Sequence, residues 1–239
     1  MLEAAFWGAL AASTLVIGML LAFVWTPAKR TLGLILAFGS GALLCAVSFE
    51  LTDAAVELGG ERLLAVGMLV GAGVFVAGTW FLRSKTDSGV PDAAEDSRSI
   101  ILGAALDGIP ESLAIGASIA AAQAVGSETV SLTLIVAVAM SNLPEALGAT
   151  IGMRASGMST GRIVSIWTGL AVTSSAAAAI GYEALSQARD GAGAFLAAFT
   201  AGAVVAMLAD TMMPDAYRDA GRVAGAATAF GFGAALLVG

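Results

Sequence analysis

Chemistry in this chain is concentrated in two near-identical stretches, Asp107-Gly-Ile-Pro-Glu-Ser-Leu and Ser141-Asn-Leu-Pro-Glu-Ala-Leu. Each lies inside a long apolar run, and neither run carries a Lys or Arg to neutralise Asp107, Glu111 or Glu145. Uncompensated negative charge at bilayer depth is expensive and marks ion or proton pathways. Pro110 and Pro144 interrupt the same runs. A proline inside a helix removes the hydrogen bond to the carbonyl four residues back, here those of Leu106 and Met140. In hydrocarbon such a carbonyl must face protein, water or an ion. Asp107 and Glu111 share a helix face, as do Ser141 and Glu145, because each pair is four residues apart. Two helices are therefore expected to present Asp107, Glu111, Ser141, Asn142 and Glu145 to one spot. Carboxylates gathered there repel one another, and a divalent cation relieves that repulsion. The competing reading is a protonated Glu111–Glu145 pair hydrogen-bonded between helices.

The elements that must position these residues follow from composition. The 239 residues are 58% hydrophobic and only 12% charged, with mean hydropathy +0.90, which places the chain among integral membrane proteins. Apolar runs long enough to span a bilayer fall at 5–25, 31–55, 63–82, 99–122, 129–153, 163–182, 193–213 and 223–238. The expected fold is all-α and integral to the membrane: eight transmembrane helices in a single polytopic domain, 1–239. The polar stretch 84–98 is expected to be a cytoplasmic loop between helices three and four. The first run lacks a basic flank, so no cleaved signal peptide is read there. With the N-terminus outside, Lys29, Arg30, Arg83, Lys85, Arg98, Arg154, Arg162, Arg218 and Arg222 fall on the cytoplasmic side, against Arg62 and Arg189 outside. That bias predicts a multi-pass plasma-membrane protein with both termini extracellular. A net charge of −7 argues against a nucleic-acid partner.

Internal similarity points to a repeat. Phe38-Gly-Ser-Gly-Ala-Leu-Leu-Cys-Ala-Val precedes Glu50 and Asp53, while Phe199-Thr-Ala-Gly-Ala-Val-Val-Ala-Met-Leu precedes Asp210 and Asp215. The charge topology makes these two helices run in opposite directions, and likewise the two Pro-Glu helices. An inverted repeat of helices one to three and six to eight around central helices four and five is expected, with a site near the midplane. Glu50 and Asp53 then mark an acidic outer mouth and Asp210 an inner one, with Ser48 as an additional oxygen. Each of these also has a plainer reading, as a solvated interfacial acid or a packing serine. The small-residue pairs Gly67–Gly71 and Gly221–Gly225 read as helix-packing positions.

These residues resemble the zinc–iron permease (ZIP) family of divalent-metal transporters. The resemblance implies eight spans with both termini outside, metal-binding Pro-Glu motifs on helices four and five, alternating access by one helix group against another, and a homodimer. The helix-four motif of that family, His-Asn-x-Pro-Glu-Gly, places Asp107 at its His, Gly108 at its Asn and Glu111 at its Glu. The helix-five motif of a bacterial branch, Gln-Asn-x-Pro-Glu-Gly, matches Ser141, Asn142 and Glu145. The chain departs from the pattern in having no histidine at all. Gly108 removes a second-metal ligand, and helix six offers only hydroxyls such as Ser165, Thr168 and Thr173 in place of an acid. A single-metal centre is thus expected. Oxygen-only ligation favours Mn, Mg or Ca, although zinc accepts carboxylates too. The expected function is import of a Zn-, Fe- or Mn-type ion, bound as substrate, with no prosthetic group and no enzymatic activity. Two alternatives stand beside it: a metal-sensing or scaffolding membrane protein, and a proton-coupled organic cation transporter.

Overall fold

Backbone surrounded by lipid must satisfy its hydrogen bonds within its own segment, so apolar runs of this length can only coil. A computed structural model of the chain describes residues 1–86, 93–124, 126, 132–188 and 191–238, with side chains described outside 82–100 and 238. Every element among the described residues is helical: α1 (Leu2–Val24), α2 (Lys29–Ala46), α3 (Thr52–Thr86), α4 (Ala93–Ala124), α5 (Leu132–Ala155), α6 (Thr160–Ser186), α7 (Ala192–Met207), α8 (Met213–Ala220) and α9 (Val223–Val238). Five stretches are long and apolar enough to cross a membrane: Leu2–Val24, Lys29–Phe81, Leu132–Ala155, Thr160–Ser186 and Ala192–Ala220. That is the profile of a multi-pass, all-α membrane protein.

Two stretches of π-helix interrupt the regular ones. Val47–Leu51 joins α2 to α3, and Leu208–Met212 joins α7 to α8. Each is followed, at the same distance along the chain, by a glycine outside helical geometry: Gly60 (φ 76, ψ 170) and Gly221 (φ 67, ψ −150). That backbone region is essentially closed to side chains bearing a Cβ. Gly60 therefore divides α3 into two helical pieces, and Gly221 separates α8 from α9.

The helices sort into two packed groups. In one, α1 lies on α5 and α6, and α4 on α6; in the other, α3 lies on α7, and α2 on α8 and α9. Backbones in the second group touch directly. A methyl group at Gly41 would overlap the carbonyl oxygen of Thr228 on α9, and one at Gly202 would overlap that of Met68 on α3. Close approach of this kind supplies dispersion contact where lipid provides no hydrophobic drive between helices. In the first group, polar ties fix which ends lie together. Ser175 Oγ donates to the Ala5 carbonyl (2.8 Å), and Tyr182 Oη to Gln123 Oε1 (2.8 Å). Arg154 Nη1 donates to the Ala22 carbonyl (2.5 Å), and its guanidinium lies over the Phe23 ring (5.3 Å). It thereby satisfies a carbonyl in the last turn of α1, where a cation also complements the helix dipole.

Two expectations change. Stretch 84–98 is helical at both flanks, through Thr86 and from Ala93, because the helices on either side extend beyond their apolar runs; positions 87–92, like Arg189, lie outside the described residues. Gly67 and Gly71 do pack, against Ala198 and Phe199, whereas Gly221 and Gly225 have open space around them. Gly221 is there for its backbone conformation. Among the basic residues, Lys29, Arg30, Arg62, Arg154, Arg162 and Arg218 lie within helices. Arg218 pairs with Asp215 (2.7 Å) and Asp219 (3.1 Å) at the surface, so it does not neutralise the buried acids.

Candidate functional site

Pro110 and Pro144 both sit inside continuous helices, α4 and α5. The carbonyl that Pro144 releases, that of Met140, faces Gly39 of α2, where an added Cβ would come to 3.1 Å. The missing side chain at Gly39 leaves α2 able to lie against the broken turn of α5. Around these breaks the buried polar residues collect: Asp107, Glu111 and Ser112 on α4, Ser141 and Asn142 on α5.

Glu111 is 0% exposed, and its Oε1 accepts a bond from Ser141 Oγ (3.0 Å), which is shared with the Val138 carbonyl (2.9 Å). This bond joins the two Pro-Glu helices directly. Asn142 Nδ2 reaches the Ala11 carbonyl of α1 at 3.5 Å. Four acceptor atoms then remain buried with no hydrogen-bond partner among the described residues: Glu111 Oε2, Asn142 Oδ1, and both carboxylate oxygens of Glu145. The Glu145 residue as a whole is only half-buried, so its stem is partly accessible while its charged end is sequestered. Asp107, Glu111 and Asp215 are its electrostatic neighbours. An unpaired buried acceptor costs about 1–3 kcal/mol, and more when charged. Such an excess of acceptors over donors is relieved by a cation.

The three expected carboxylates do not close on a single point. Among the described residues, no group of three or more His, Cys, Asp or Glu side chains is placed to hold a metal ion. Asp107 has a tie of its own: its Oδ1 accepts from Thr211 Oγ1 (3.1 Å) on the second π-helix, while its charge acts on both Glu111 and Glu145. Ser141 acts as a donor that orients Glu111. The buried acceptors without a donor thus belong to Glu111, Glu145 and Asn142, with Asp107 beside them.

The outlying candidates separate from it. Ser48 Oγ donates to the Leu44 carbonyl of its own helix (2.7 Å). Glu50 is half-buried and engaged, accepting from Ser118 Oγ (2.7 Å) and from the Leu134 backbone N–H (3.0 Å). Asp53 and Asp210 are exposed. On α6, Ser165, Thr168 and Thr173 face outward, and Ser165 and Thr173 bond within their own helix. A buried α6 hydroxyl that does face α4 here is Ser174, opposite Gly108. Thr211 and Ser118 are functional-site neighbours that sequence reasoning passed over. A signal existed for Thr211: counting from Phe38 and Phe199, it stands where Glu50 stands in the other pattern. Thr150 Oγ1 and Trp167 Nε1, on α5 and α6, are also buried without partners among the described residues.

A scan against models of known protein families gives no match for this chain, and a search of characterised protein sequences gives none either.

Proposed function

We propose that this protein is a divalent-metal transporter of the ZIP type, which carries its ion between Glu111, Glu145 and Asn142. The observation that carries the reading is the set of four buried acceptor atoms on these three side chains that meet no donor among the described residues. Two carboxylates match the charge of a divalent ion, and Asn142 Oδ1 adds a neutral oxygen. The all-oxygen set favours Mn2+ and accepts Zn2+. Asp107 lies beside the centre and belongs to the path rather than to the ligand set.

Eight crossings are supported by the Gly60 division of α3 and by the polar ties that place the N-terminal part of α1 with the C-terminal parts of α4 and α6. The matched π-helix and glycine positions in the two halves support an inverted repeat. The sorting of helices into α1/α4/α5/α6 and α2/α3/α7/α8/α9 supports alternating access by relative movement of the groups. Import across the plasma membrane, extracellular termini and a homodimer belong to the same proposal, resting on charge bias and resemblance.

The test is uptake of Mn2+ and Zn2+ into proteoliposomes containing the purified protein. Uptake well above that of empty liposomes, lost in Glu111→Ala and Glu145→Ala, supports the proposal. Specific metal binding without uptake makes the protein a sensor or scaffold. Uptake undiminished in both variants removes Glu111 and Glu145 from the path.

A further inference from the structure

Both π-helices bond across the gap between the two helix groups. From the first, Glu50 takes hydrogen bonds from Ser118 Oγ (2.7 Å) on α4 and from the Leu134 N–H (3.0 Å) on α5. From the second, Thr211 Oγ1 donates to Asp107 (3.1 Å) on α4. Glu50 and Thr211 occupy the same place in the two Phe-initiated patterns, and each lies within its π-helix. A π-helix fits one extra residue into a turn, which re-aims the side chains on it and often accompanies function.

The Glu50 contacts have a definite physical character. Leu134 is in the first turn of α5, whose N–H groups have no partner within the helix. A carboxylate there satisfies one of these groups and complements the positive end of the helix dipole. The same carboxylate holds Ser118 on α4, near the other end of the α4–α5 connection. One residue of α2's group thus grips the exit of α4 and the entry of α5. Both carboxylate oxygens are used in doing so.

We infer that Glu50 is a conformational latch between the two helix groups, a positioning residue and not a ligand of the transported ion. Thr211 with Asp107 forms its counterpart from the other half. The groups separate around α4 and α5 only when Glu50 releases Ser118 and Leu134. This inference rests on the proposed movement of the groups, but its test does not need transport.

The experiment uses full-length protein in nanodiscs, with Cys45→Ala as background and spin labels at Glu57→Cys and Gln123→Cys, both exposed positions. Hydrogen exchange is followed in parallel at the first turn of α5. Glu50→Ala is expected to accelerate that exchange roughly tenfold or more, the scale of a lost charge-assisted bond. It is also expected to add a second, longer population to the label distances. Glu50→Gln can still accept from Leu134 and exchange a bond with Ser118, and is expected to restore most of the protection. Ser118→Ala, a milder change, is expected to add a smaller share of the longer population. Unchanged distances in both Glu50→Ala and Ser118→Ala overturn the latch, and faster exchange alone then makes Glu50 a local helix cap. In Mn2+ uptake, Glu50→Ala is expected to change the maximal rate while half-saturation stays within about twofold; a tenfold rise in half-saturation returns Glu50 to the ligands. Loss of uptake in the unmutated protein with the label response intact sinks the transport reading and leaves the latch.

Discussion

Glu145 holds two buried carboxylate oxygens that find no donor among the described residues, whereas Glu111 has one oxygen tied to Ser141 and one free. The two acids should therefore respond differently to substitution. In Glu145→Gln the amide keeps the shape but lowers the charge, so Mn2+ uptake is expected to fall roughly tenfold or more with folding retained, as uptake and melting measurements would show. Millimolar Mn2+ is expected to raise the melting temperature of the unmutated protein but not that of the Glu111→Gln/Glu145→Gln double variant, because an ion bound only by the folded state stabilises it. Ser141→Ala deprives Glu111 Oε1 of its donor and is expected to cost about 1–3 kcal/mol in chemical denaturation. The chemistry of these residues was legible in the sequence from residue type and spacing. The tie between Asp107 and Thr211 was not, because the two residues lie far apart along the chain.

At the scale of elements, the proline breaks and the π-helices are the irregularities that shape the site. Helix interiors tolerate proline poorly, by about 3 kcal/mol in an ordinary helix. Pro144→Ala should thus restore a regular turn, return the Met140 carbonyl to a helical hydrogen bond and raise thermal stability. The expected outcome is a higher melting temperature together with slower Mn2+ uptake; faster uptake would show that the break is not used. Proline positions can be read directly from a sequence. π-Helices cannot, since their extra residue leaves hydropathy unchanged over so short a stretch. The resemblance between the Phe38 and Phe199 patterns came close, yet it singled out Asp210, which is exposed, rather than Thr211.

For the whole molecule, the decisive feature is that two helix groups meet around α4 and α5. Backbone contact within the second group makes Gly41 and Gly202 sensitive positions. Gly202→Leu is expected to lower stability by about 1–3 kcal/mol or more, because the side chain must displace the α3 backbone at Met68. The membrane arrangement has its own test. In the Cys45→Ala background, Glu61→Cys should be labelled by an impermeant maleimide in intact cells, and Ser159→Cys only in inverted vesicles. Both positions are exposed at opposite ends of the proposed topology. Labelling of both from one side would break the eight-crossing arrangement.

Hydropathy and the distribution of basic residues determined that this protein is a helical membrane protein, because apolar length and interfacial charge are local properties of a chain. The type and spacing of Glu111, Asn142 and Glu145, with their prolines, likewise marked the buried oxygen site in advance. Which donors each carboxylate meets was decided only in three dimensions. Helices far apart in sequence compete for the same side chains, so Thr211 takes Asp107, while Ser118 and Leu134 take Glu50, away from the open path where its charge alone would have put it.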